Sequence, residues 1–135
     1  MSLAELKGDV VILACAISAG IHGALVPGHF EESTGAGLGF VGATVALAVV
    51  FVWLSRRPES RSAIATAAVT FLGLLASYAL ATTTGLPVLH PDPEPVDGLA
   101  LATKAIEALG VLAASSFLWR PRIAVTLPQP KGTLT

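Results

Sequence analysis

The hydrocarbon core of a bilayer, roughly 30 Å thick, is crossed by about 20 consecutive apolar residues in a helix, and this chain contains four stretches of about that length. They run from about Asp9 to Val26, Leu38 to Leu54, Ala63 to Ala81 and Val96 to Trp119. A chain of 135 residues that is 53% hydrophobic and 13% charged is also poorly suited to a water-soluble fold. The prolines agree with spans: Pro27, Pro58, Pro87, Pro91, Pro93, Pro95, Pro121, Pro128 and Pro130 all fall at or outside the span ends. There a missing backbone donor is harmless, whereas inside a span lipid would leave the freed carbonyl unsatisfied. The expected fold is an all-α, four-helix integral membrane bundle over residues 1–120, followed by a polar, proline-broken tail over 121–135.

Positively charged flanks stay in the cytoplasm. Seven of the eight Lys and Arg residues flank one side of the spans, namely Lys7, Arg56, Arg57, Arg61, Arg120, Arg122 and Lys131. The opposite connections, Pro27 to Gly37 and Thr82 to Pro95, contain no Lys or Arg but hold Glu31, Glu32, Asp92 and Glu94, with Asp97 at the mouth of the fourth span. Both termini are therefore expected on the cytoplasmic side of a bacterial inner membrane, with Trp53 and Trp119 anchored at its headgroups. Scattered basic residues make no face for nucleic acid. The lone Cys15 excludes an internal disulfide or a multi-cysteine metal site within one chain. Val11 to Cys15 resembles a lipoprotein cleavage signal, but the apolar run before Cys15 is short and Asp9 stands where positive charge belongs, so a retained span is expected.

Helices in lipid associate through close backbone approach at small residues. Ala16, Gly20 and Ala24 recur every four residues on the first span, Gly39, Gly42, Ala43 and Ala46 follow on the second, and Thr66, Thr70, Gly73 and Ser77 on the third. Packing within the chain is the favoured reading of these faces, and a homo-oligomer contact is the alternative. Gly37-Leu38-Gly39-Phe40-Val41-Gly42 has dinucleotide-fingerprint spacing, yet no strand precedes it, so the glycines are read as helix start and packing contacts. No phosphate-binding lysine loop, nucleophile elbow or zinc-protease helix is present, and the balance is against an enzyme.

Ionisable residues within a span are costly, and they pair or face a cavity. Cys15, Ser18 and His22 share one face of the first span, with His22 on the order of 6 Å below its outer end. Lys104 and Glu107 lie three apart on the fourth, Glu107 near mid-span. Above them stand His29 and Glu31 from the first outer connection and His90, Asp92 and Glu94 from the second. Pro27-Gly28 is expected to interrupt the helix between His22 and His29. Three readings stay open. The charges neutralise each other inside the bundle. Alternatively, His22, His29, His90, Glu31, Asp92 and Glu94 converge as ligands for a divalent transition metal, zinc or copper. In the third, Cys15, His22, Lys104 and Glu107 form a polar lane for protons or a small solute.

Ile21-His22 through Pro27-Gly28-His29-Phe30-Glu31, and Thr84-Gly85-Leu86-Pro87 before an acidic loop, resemble small uncharacterised four-span membrane proteins from actinobacterial genomes. That resemblance implies a four-span fold over most of the chain and weight on His22, His29 and Glu31 as a unit, and it carries no activity. The expected function is a small membrane accessory or binding subunit with an outward-facing His and carboxylate site. A purely structural subunit of a larger membrane complex, and a conductor of protons or small solutes, remain the alternatives.

Overall fold

The computed structural model describes residues 3–87 and 92–119. Within them the chain forms four helices: α1 over Leu3–Glu32, α2 over Thr34–Arg56, α3 over Arg61–Thr83 and α4 over Gly98–Leu118. All four are long and apolar enough to cross a membrane. Polar residues start three of them. Ser33, Ser60 and Asp97 each accept a hydrogen bond from the backbone N–H three residues on, at Ala36, Ala63 and Ala100, caps that contribute about 1 kcal/mol apiece. The tail and His90 lie outside the described residues.

The first helix does not stop at Val26. It runs through Pro27 and Gly28 to Glu32, so the outer connection expected over Pro27 to Gly37 shrinks to the single residue Ser33. Proline removes one donor and its ring presses on the carbonyl four residues back. Here that residue is Gly23, and Pro27 is exposed, where its ring displaces no packing partner. The turn beyond it is held from outside: His29 stacks on Phe40 of α2, and the Phe30 ring lies where a side chain at Gly37 would be. Contacts across the α1–α2 hairpin therefore outweigh one lost backbone bond, and His22 and His29, two turns apart, come to share a face.

The helices pack in a ring in which α1 lies between α2 and α4, and α4 between α1 and α3. The α2–α3 seam is the thinnest of the four. At the basic end Lys7 donates to the Ser116 carbonyl (3.4 Å) and Arg61 to the Leu118 carbonyl (2.6 Å), so the start of α1 and the end of α4 lie side by side with the α2–α3 turn. The core of this half is filled by Val11, Leu47, Leu54, Ile64 and Phe71, all fully buried. Long apolar residues such as Val45, Val49, Val69, Leu109 and Leu112 point outward, the surface that lipid would cover.

Small residues do provide close approach, but mostly not through the stripes expected from the sequence. Gly20, Ala24, Gly42, Ala46, Thr66, Gly73 and Ser77 are exposed, which overturns the expectation for those positions, while Gly39 and Ala43 of the α2 stripe do turn inward. A stripe faces inward only if its angle agrees with the buried arc of its helix, and low amphipathicity hides that arc in the sequence. The close contacts are made instead by Ala14, Ala63, Ala67 and Ala114 and by Gly110, where an added methyl would meet the Phe71 ring. Gly110→Ala should accordingly destabilise the detergent-purified protein by about 1–3 kcal/mol, whereas Gly73→Ala, with open space around it, should be neutral or stabilising. Equal melting temperatures for the two variants would refute this packing.

Candidate functional site

The costliest residue in the chain organises the site. Glu107 is fully buried on α4, and its carboxylate accepts two strong hydrogen bonds. One comes from the Ser18 hydroxyl on α1 (2.8 Å) and the other from the Lys104 ammonium one turn up its own helix (2.7 Å). Ser18 is likewise fully buried, and the Lys104 side chain is 15% exposed. A carboxylate in an apolar interior is tolerable only when paired and hydrogen-bonded, and both conditions are met.

His22 stands beside this pair with its Nε2 3.9 Å from a Glu107 oxygen, beyond hydrogen-bond range. Its Nδ1 lies 2.9 Å from the Ser18 carbonyl. A carbonyl only accepts, so Nδ1 carries the proton and Nε2 is the atom left free for another partner. His29 repeats the arrangement one helical repeat higher, its Nδ1 donating to the Leu25 carbonyl (3.0 Å). The Phe40 ring serves both imidazoles, with centroids 5.3 Å away for His22 and 3.6 Å for His29.

Above Glu107 the bundle is hollow. A cavity of about 250 Å³ is walled by all four helices and by the loop before α4. Residue size explains why it lies there: the positions facing inward at this end include Ala36, Gly39, Ala43, Ala81 and Ala100, too small to fill a space that Leu47, Leu54, Ile64 and Phe71 fill at the other end. His22, Lys104 and Thr103 line it together with Tyr78 of α3, while Glu94 and Asp97 stand toward the acidic end. The Glu94 backbone N–H donates to the Ala81 carbonyl (2.9 Å), fastening the proline-rich loop to the end of α3.

Of the residues singled out in the sequence, Ser18, His22, Lys104 and Glu107 come together in one network. His29 and Glu94 share the cavity wall with them. Glu31 and Asp92 are exposed and do not line the cavity, and Cys15 packs in the apolar core with Val11 and Ala14 and without a place in the network. Among the described residues no three of the His, Cys, Asp and Glu side chains gather in a group fit for a metal ion. Sequence reasoning missed Tyr78 and Phe40. The lone tyrosine among the spans was the available signal, since a phenol in an apolar helix needs a polar partner.

No family model, no curated protein and no solved structure matches this chain, so the arrangement is read from its own chemistry. Glu107→Gln should lower stability by about 3–5 kcal/mol, because the two donors bond different carboxylate oxygens, a carboxamide turns one of these into a donor, and the Lys104 charge is left uncompensated. The double variant Lys104→Met/Glu107→Gln should recover part of that loss in a thermal melt. A single variant as stable as the parent would show that Glu107 is not the partner of Lys104.

Proposed function

We propose that this protein is a small membrane-embedded binding subunit whose outward-facing cavity holds a small solute between His22, Lys104 and Tyr78. The observation that carries the reading is the cavity itself: concave, mostly apolar, with a few convergent polar groups at its floor, the usual form of a small-molecule site. Its depth suits binding better than conduction. Beneath Glu107 the first and third helices bring Val11, Ala14, Cys15 and Phe71 into a buried apolar core, which closes the lane before it reaches the basic end. Orientation follows from charge. Lys7, Arg56, Arg57 and Arg61 lie at one end of the bundle and Glu31, Glu32, Asp92, Glu94 and Asp97 at the other, so the basic end belongs in the cytoplasm and the cavity opens outward. A bacterial inner membrane suits this pattern, and the accessory role is that of a subunit with a binding site.

A metal is the second reading, favoured by two imidazoles that each bind their own helix through Nδ1 and leave Nε2 free, the way histidine ligands are commonly oriented. Zinc or copper would then draw on the two imidazoles, since among the described residues no third His, Cys, Asp or Glu side chain gathers with them. Calorimetric titration with zinc should show about one ion per chain, lost in His22→Ala/His29→Ala; binding that survives in that variant would remove the metal reading.

Cysteine labelling in intact cells tests the binding reading, in a Cys15→Ala background. Glu32→Cys and Thr103→Cys should react with a small membrane-impermeant methanethiosulfonate, the first at the outer surface and the second through the cavity. Glu59→Cys should react only after permeabilisation, and the lipid-facing Leu101→Cys should stay unlabelled. Labelling of Glu59→Cys from outside would reverse the orientation. An unreactive Thr103→Cys would mean that the cavity does not open to solvent.

A further inference from the structure

The identity of the solute is narrowed by what the cavity walls still lack. The Tyr78 hydroxyl is buried and has no hydrogen-bond partner. An orphaned buried hydroxyl costs about 1–3 kcal/mol, and because Tyr78 belongs to the cavity wall its want of a partner points to a hydrogen-bonding ligand. Lys104 stands next to it, with Nζ 5.5 Å from the Tyr78 ring centroid. An ammonium has three N–H donors, and Glu107 takes one of them. The floor therefore holds spare donors on two adjacent side chains, Tyr78 and Lys104, beside the free acceptor at His22 Nε2.

Charge then separates the candidate acceptors. The Lys104 cation is already matched by Glu107 at 2.7 Å. A carboxylate or phosphate entering the cavity would add a negative charge with no cation left to balance it, in surroundings where an uncompensated charge is costly. A neutral carbonyl oxygen accepts the same hydrogen bonds and adds no charge. Shape gives the remainder. The walls present the rings of Phe40, Tyr78, His22 and His29 among aliphatic residues such as Leu25 and Leu74, surroundings that favour a flat ring packed against aromatic faces. The cavity also touches both α2 and α3, whose seam is the thinnest in the bundle.

We infer that the cavity binds a small, neutral, flat ring bearing a carbonyl oxygen, the chemistry of a quinone headgroup, with that oxygen accepting hydrogen bonds from Tyr78 and Lys104. This inference rests on the reading of the cavity as an outward-facing binding site and adds its ligand class. It concerns binding alone and requires no electron transfer to the protein.

The test uses the full chain in detergent micelles or nanodiscs and three probes. Duroquinone carries two ring carbonyls, durene is the same methylated ring without oxygens, and benzoate is a flat ring with a negative charge. Equilibrium dialysis should show saturable duroquinone binding near one per chain, with durene and benzoate each weaker by roughly tenfold or more. Tyr78→Phe keeps the ring and removes only the orphaned hydroxyl, so it should fold at least as well as the parent. It should weaken duroquinone binding by roughly tenfold while leaving durene unchanged. Durene binding as tight as duroquinone, benzoate binding more tightly than either, or an unaltered duroquinone affinity in Tyr78→Phe would overturn the ligand class. If Thr103→Cys labels from outside while duroquinone fails to bind, the cavity remains a binding site and only this inference falls; an unlabelled Thr103→Cys removes the site on which it rests.

Discussion

Among apolar helices surrounded by lipid, burial of aliphatic side chains gives little preference for one arrangement over another, since lipid tails are as apolar as leucine. A carboxylate in the middle of such a helix changes that. Glu107 needs donors, and the two it has come from its own helix and from Ser18 on α1, 89 residues earlier in the chain. That pair closes the ring of helices by joining the first to the last. It also sets their relative height, because a shift of one turn, about 5.4 Å, would leave the carboxylate opposite Cys15 or His22 instead of the serine hydroxyl. His22 sits beside Lys104 because Ser18 sits beside Glu107.

From that anchor the two halves of the bundle diverge. Toward the basic end the inward positions carry Leu47, Leu54, Ile64 and Phe71, and the space is full. Gly110 is what lets the Phe71 ring lie against α4. Toward the acidic end the inward positions carry Gly39, Ala43, Ala81 and Ala100, and a cavity remains. Voids larger than a water molecule are few in proteins, and this one is lined by His22, His29, Tyr78 and Lys104. The polar network is thus the floor of the cavity as well as a fastening between helices. The same Lys104 that neutralises Glu107 has donors to spare on the cavity side.

Much of the architecture was legible in the sequence because lipid imposes a simple rule of length and polarity. Four apolar stretches separated by proline-bearing or charged segments became four helices, and Lys104 and Glu107, three apart in an apolar helix, became an ion pair. Where local rules were applied too strictly they failed. Pro27 reads as a helix end from its chemistry alone, yet α1 continues to Glu32 because His29 and Phe30 find partners on α2. Gly20 and Ala24 have the spacing of a packing face but are exposed, because nothing in a nearly uniform apolar helix marks which side its neighbours occupy.

The sequence by itself determined that this chain makes four membrane-length helices, that its charges separate toward opposite ends, and that Lys104 and Glu107 would need one another. Those properties depend on composition, spacing and the cost of burying charge, each of which is local or additive along the chain. Only the tertiary structure decided that Ser18 is the second donor to Glu107, that Tyr78 from α3 joins the cavity wall with an unpaired hydroxyl, and that small inward residues leave a cavity above them. These depend on the rotation and height of each helix about its own axis. With weak amphipathicity to specify rotation, they are settled by a few polar contacts and by the shapes of the side chains that meet.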